Sequence, residues 1–171
     1  MNSKAVSDIF SDGFYLCRDL FMSNASLKGR ILAIDYGHRR IGVAVSDPLR
    51  ITAQLLPTIQ VAHPNQVLSD LEKIILEKNV TEIVIGMPLN LKGQKGSSAE
   101  KVERFVKELD LKFHLPVHTW DERWTTIEAQ RTIWELGKSP SRHKSKVDQI
   151  AALLILQTFL NYLSLKSQSE G

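Results

Sequence analysis

The sequence predicts an α/β fold: a mixed, five-stranded sheet covered by helices on both faces. Three observations predict it. Three strand-like stretches come first, separated only by turns. Helical and extended patterns then alternate to the end of the chain, which argues for crossover connections and parallel strands. Ile31 to Ile34 and Ile83 to Ile85 are apolar without interruption, the pattern of strands buried on both faces.

Residues 1–28 precede the first strand. Val6, Ile9, Phe10, Phe14, Leu20 and Phe21 recur at roughly helical spacing, with Gly13 as a weak point, so this segment reads as an extension that is poorly ordered or forms one helix. The folded domain is expected over 29–166, with a tail at 167–171. Its first strand, Ile31-Leu32-Ala33-Ile34-Asp35-Tyr36, climbs to a carboxylate and stops at Gly37. Arg40 to Asp47 forms the second strand, joined to the first in an antiparallel hairpin through Gly37-His38-Arg39. Asp47-Pro48 marks a turn. Ile51 to Val61 is a third strand, placed at an edge because Pro57 has no N–H to give a ladder. His63-Pro64-Asn65 opens a helix to Lys78, with Val67, Leu68, Leu71, Ile74 and Ile75 on one face. Thr81 to Gly86 is the fourth strand, ending at Gly86-Met87-Pro88. A polar loop from Asn90 to Gly96 leads to Ser97 and Glu100, whose capping-box spacing predicts a helix start. Val102, Phe105, Val106 and Leu109 form the apolar face of that helix. Pro116 to Trp120 is a short fifth strand that runs into Asp121-Glu122-Arg123. Thr125 and Glu128 predict another capped helix, carrying Ile127, Ile133, Trp134 and Leu136 and stopping at Gly137. A basic loop from Lys138 to Lys144 leads to a final helix over about Ser145 to Leu165.

The totals bound the class. With 171 residues, 43% hydrophobic and 24% charged, the chain has the composition of one ordinary globular domain. The net charge of +3 is mild, but the basic residues cluster at His38-Arg39-Arg40 and from Lys138 to Lys146. The single cysteine, Cys17, excludes an internal disulfide and any cysteine-based metal cage, and fits a cytoplasmic location. The longest apolar run, Ile150 to Leu156, is short for a membrane span, and the N-terminus lacks the pattern of a secretory signal, so no membrane partner is expected.

Acids stand at three strategic places. Asp35 ends the first strand, Asp121 and Glu122 follow the fifth, and Asp148 lies in the first turn of the last helix. Each has a bland reading. Asp35 and Asp121 suit turns, and Asp148 suits the positive end of a helix dipole. Together, two or three carboxylates at strand ends and a helix start can hold hard divalent cations such as Mg²⁺ or Mn²⁺. Two such ions roughly 4 Å apart can activate water and stabilise the leaving oxygen in phosphodiester hydrolysis. No histidine pair has zinc-helix spacing, since Pro116 lies between His114 and His118, and no serine sits in a nucleophile elbow.

Ile34-Asp35-Tyr36-Gly37 with Arg40-Ile41-Gly42-Val43-Ala44-Val45-Ser46-Asp47 resembles the opening hairpin of the YqgF family. Val84-Ile85-Gly86-Met87-Pro88 matches too, as do Asp121-Glu122-Arg123 with Thr125-Thr126, and Lys146-Val147-Asp148 with Ile150-Ala151-Ala152 and Ile155-Leu156-Gln157. The resemblance covers roughly 30–163. It implies a ribonuclease H-like three-layer fold and a metal-dependent nuclease, one that matures the 5′ end of pre-16S rRNA or resolves four-way DNA junctions. The ribosomal reading is preferred. The family's acidic site carries over to Asp35, Glu122 and Asp148 as catalytic metal ligands, with Asp121 as the substitute for Glu122. Glu122 is preferred for its reach, because adjacent strand residues point to opposite faces.

In this reading Arg39, Arg40, Arg123, Arg142, Lys144 and Lys146 surround the site and neutralise backbone phosphates of pre-rRNA or branched DNA. Gly86-Met87-Pro88 and Gly93 to Ser98 shape a groove beside it. Trp124 is a candidate for base stacking, whereas Trp120 and Trp134 read as core. Ribosomal particles are a further expected partner, and the chain acts as a monomer or homodimer. Two other classes compete. Asp35-x-Gly37 with Gly42 also resembles the phosphate loop of actin-like kinases, but those need two lobes and this chain provides one. A non-catalytic RNA-binding assembly factor would not need the three acids.

Overall fold

The computed structural model describes residues 29–89, 93–121 and 144–169; the side chains of 64–65 and 144–149 lie outside that description. The strands are β1 (Arg30–Tyr36), β2 (Arg40–Ser46), β3 (Ala53–Gln60), β4 (Val80–Met87) and β5 (Val117–Asp121). They form one sheet in the order β3-β2-β1-β4-β5. β2 is antiparallel to β1 and to β3, whereas β4 is parallel to β1 and β5 parallel to β4. This is the mixed five-stranded sheet expected. Gly37 is required in the hairpin because a Cβ there would lie 2.4 Å from the Arg40 carbonyl oxygen. Pro57 sits in β3 at the edge of the sheet, where a missing N–H leaves no partner strand short of a donor.

Helix α1 (Pro64–Lys78) starts after His63 with proline in its first turn. It ends where Asn79 turns left-handed at φ 53° and donates its N–H to Ile75 and Leu76. Helix α2 (Ser97–Phe113) corrects the expected capping box. Gly96 is the N-cap, and no side-chain cap is made. The Glu100 N–H donates to the Gly96 carbonyl, so Ser97 is already inside the first turn, one residue too late to cap it. Helix α3 (Lys144–Ser169) runs past the expected Leu165. The expected helix over Thr125 to Gly137 lies outside the described residues, as do residues 1–28.

The side chains of the strands alternate between two cores. Leu32, Ile34, Val43, Ile83 and Ile85 pack with Val67, Leu71 and Ile75 of α1 and Val102, Phe105 and Leu109 of α2. Ile31, Ala33, Ala44 and Val84 pack with Ala152, Ile155, Leu156, Phe159 and Leu160 of α3. The result is three layers, with α1 and α2 on one face of the sheet and α3 on the other. Each fully buried Leu or Ile contributes about 1.5–3 kcal/mol. Trp120 belongs to the α3 core: it donates Nε1–H to Thr158 Oγ1 at 2.9 Å and stands edge-on to Phe159. Ile150–Ser169 is long and apolar enough by composition to cross a membrane, a longer stretch than Ile150 to Leu156. Its Ala152, Ile155, Leu156, Phe159 and Leu160 are buried on the sheet, as in a core helix.

The edge of the sheet where β1 and β4 begin is clamped. The Asp47 carboxylate accepts the N–H groups of Leu49, Ile51 and Thr52 at 3.1, 2.7 and 2.6 Å. These bonds, chiefly that from Thr52, hold its carboxyl below the usual range. The turn they fix presents Arg50, at φ 60°, to the strands. Arg50 donates Nε–H to the Gly29 carbonyl at 3.0 Å and Nη2–H to Thr81 Oγ1 at 3.2 Å. It also pairs with Glu82 at 2.6 Å, and the other Glu82 oxygen meets His118 Nε2 at 3.1 Å.

Candidate active site

Strand alternation places Asp35. Ile31 and Ala33 face α3, and Leu32 and Ile34 face α1 and α2. Asp35, two residues past Ala33, therefore falls on the α3 face, half-buried at the C-terminal end of the central strand. Glycine flanks it on both neighbouring strands. Gly42 is its register partner on β2, and Gly86 on β4 lies one step beyond the Ile34–Ile85 pair. No side chain from either strand stands beside the carboxylate at that level. Tyr36 points to the opposite face and packs on Phe105 with ring centroids 4.5 Å apart. Burial pushes its phenol up, and the negative charge of Glu108 adds to the rise. The strand end that carries Asp35 is thus anchored from behind by an aromatic pair.

The same alternation separates Asp121 from Asp35. On β5, Trp120 packs into the α3 core and Val117 against the α1–α2 core. Asp121 shares parity with Val117 and Thr119, so it lies on the α2 face, at the level of Met87 on β4. There it lines an open cleft of about 620 Å³. Met87, Leu89 and Val106 are its apolar lining, and Thr119, Lys107 and Asp121 are polar groups around it. Lys95 and Glu103, which also line it, are ion-paired to each other, and the pair holds the Glu103 carboxyl below its ordinary range. Lys95 arrives through a bridge to Leu89 and is the residue of the stretch from Gly93 to Ser98 that lines this cleft, which lies on the face opposite Asp35 and not beside it.

The structure thus brings Asp35 and Asp121 to one edge of the sheet but to opposite faces. Glu122, Arg123, Arg142, Trp124 and Trp134 lie outside the described residues. Lys144 and Lys146 are in the first turn of α3, which carries no acid, so Asp148 lies in the second turn and not in the first as expected. Asp148 precedes Ala152, Ile155, Leu156 and Phe159, all buried on the sheet, by four, seven, eight and eleven residues, the spacing of one helix stripe. Arg39 is exposed in the hairpin turn beside Asp35, and Arg40 opens β2 half-buried. Among the described residues no group of three His, Cys, Asp or Glu could hold a metal ion. Sequence reasoning did not pair Gly42 and Gly86 with Asp35. Both glycines are legible, but their relation to the carboxylate needs the strand register.

A family model described as "RuvX: Holliday junction resolvase" matches residues 29–162. The chain is 47% identical over 136 residues to a protein of Koribacter versatilis, covering 80% of this chain and 89% of that protein. It is 45% identical over 136 residues to one of Ruminiclostridium cellulolyticum, covering 79% and 96%. Both are named "Putative pre-16S rRNA nuclease". A solved Holliday junction resolvase of fowlpox virus aligns at 14% identity and a TM-score of 0.49, over 78% of this chain and 99% of that one.

Proposed function

The chain belongs to the RuvX family, and from that premise we propose that it is a metal-dependent nuclease that matures the 5′ end of pre-16S rRNA. One observation carries the site. Asp35, at the end of the central strand, faces α3 with glycine on either side, and Asp148 lies within the first two turns of α3. Asp35, Glu122 and Asp148 are the proposed metal ligands and catalytic acids. Asp121 lies on the α2 face, away from Asp35, which disfavours it as the second acid and leaves Glu122 preferred. A carboxylate flanked by glycine suits a small, hard, hydrated cation, so the donors fit Mg²⁺ or Mn²⁺. When bound, such ions supply an activated water and neutralise the charge that builds on the scissile phosphate. The carboxylates fix the geometry, and Tyr36 against Phe105 keeps the end of β1 from swinging. Arg39, Arg40, Arg123, Arg142, Lys144 and Lys146 are proposed to meet backbone phosphates, which makes binding sensitive to salt. An rRNA substrate places the reaction in the cytoplasm, on ribosomal precursor particles.

The description of the matching family model favours a second reading, resolution of four-way DNA junctions. A side-by-side assay decides. The chain and its Asp35→Asn variant are incubated with Mg²⁺ and either a pre-16S rRNA fragment or a four-way DNA junction. Cleavage of the RNA at its 5′ side by the parent, lost in Asp35→Asn, is expected. Cleavage of the junction alone would select the second reading. Equal cleavage by both proteins would refute the metal-nuclease mechanism.

A further inference from the structure

The cleft on the α2 face has no role in the chemistry above, and its composition is selective. Its lining charges balance, because Lys95 is paired with Glu103, and Lys107 and Asp121 add one charge of each sign. A balanced lining does not select a bare anion such as phosphate. Met87, Leu89 and Val106 offer an apolar surface, while Thr119 and Asp121 offer hydrogen-bonding groups beside it. Flat, apolar faces with a polar edge describe a nucleobase, and a carboxylate is the natural acceptor for an exocyclic amino group. The position fits as well. Asp121 lies level with Met87, one step past Gly86, and β4 alone separates β5 from the strand that carries Asp35. Two strand spacings are about 10 Å, and passing from one face to the other adds the thickness of the sheet, a distance that a few nucleotides of unpaired strand span.

We propose that this cleft receives one unstacked base of the nucleic acid whose backbone lies over Asp35. The sheet edge stands between them, so a strand that presents a phosphate on the α3 face must turn a nucleotide over that edge to fill the cleft. A continuous duplex cannot do this without breaking a pair, whereas a single-stranded end or a branch point can. The cleft therefore makes the enzyme selective for nucleic acid with an unpaired nucleotide near the cut. This rests on the nuclease reading above.

The test reads binding without turnover. Asp35→Asn serves as the parent, titrated against a single-stranded oligonucleotide carrying 2-aminopurine and against a fully paired duplex of the same sequence. Val106→Phe, which fills the cleft, is expected to weaken single-strand binding about tenfold, the equivalent of one lost base contact. Lys107→Ala combined with Thr119→Ala, both at exposed positions, is expected to do so to a smaller extent. Duplex affinity is expected to stay that of the parent. If the folded cleft variants bind the single strand as the parent does, the proposal is overturned. The Lys107→Ala, Thr119→Ala protein decides alone should Val106→Phe fail to fold. Cleavage by the unmutated chain is scored separately. Its absence sinks the nuclease reading and leaves a selective loss of binding in place, while parent-like binding sinks the cleft and leaves cleavage in place.

Discussion

Asp35 and Asp47 are both half-buried carboxylates at strand ends, and their surroundings give them opposite tasks. Asp47 is spent on structure, since three backbone N–H groups converge on it. Its folded pKa is lowered, so the stability it contributes is present above the unfolded carboxylate value near 3.9 and is lost as pH falls through the lower folded value. Asp47→Ala is expected to cost about 1 kcal/mol at neutral pH, a figure discounted for its partial exposure. The difference from the parent should shrink in urea titrations below pH 4 or so. Asp35 sits between glycines on both neighbouring strands. Asp35→Asn is expected to lower cleavage by about a hundredfold or more, close to 3 kcal/mol of transition-state stabilisation. Its thermal midpoint should stay within a few degrees of that of the parent, so that the loss of cleavage is read on folded protein. The strand-end place of Asp35 and the helical place of Asp148 were legible in the sequence, because each lies beside an unbroken apolar run. The face that Asp121 takes was not, because a strand's parity appears only when its neighbours are known to face one core or the other.

Element boundaries show the same dependence on context. The apolar faces of α1 and α2 were legible from periodicity, and Val67, Leu71, Ile75, Val102, Phe105 and Leu109 are all buried. The start of α2 was misread by one residue because Gly96 in an extended conformation supplies the cap position that Ser97 was expected to fill. The β1–β2 hairpin is the element on which Asp35 depends most. Gly37→Ala is expected to destabilise the protein by about 2 kcal/mol, as the new methyl group meets the Arg40 carbonyl. Phe105→Ala, which removes the aromatic wall behind Tyr36, is expected to cost about 3 kcal/mol. It should also lower cleavage in the folded fraction, which steady-state rates on protein sorted by circular dichroism would show.

Across the whole molecule, the order of strands and helices in the sequence foretold the three layers. What it could not foretell is that one sheet carries two differently built ends. At one end lie Asp35, the hairpin turn and the cleft. At the other, Arg50 ties Gly29, Thr81 and Glu82 together, and Glu82 continues to His118. Arg50→Ala is expected to cost about 2 kcal/mol, since it leaves a partly buried Glu82 without its guanidinium. The clamp has a dynamic consequence. The Ile31 N–H is bonded to the buried Ser46 hydroxyl and the Ile83 N–H to the Pro116 carbonyl, both near the clamped end. These amides should exchange with solvent only when the whole domain unfolds, whereas those of His38 and Arg39 should exchange through small local openings. A sheet gripped at this end behaves like a tuning fork held by its stem, whose handle keeps the five strands in register behind the tips that carry Asp35 and Asp121.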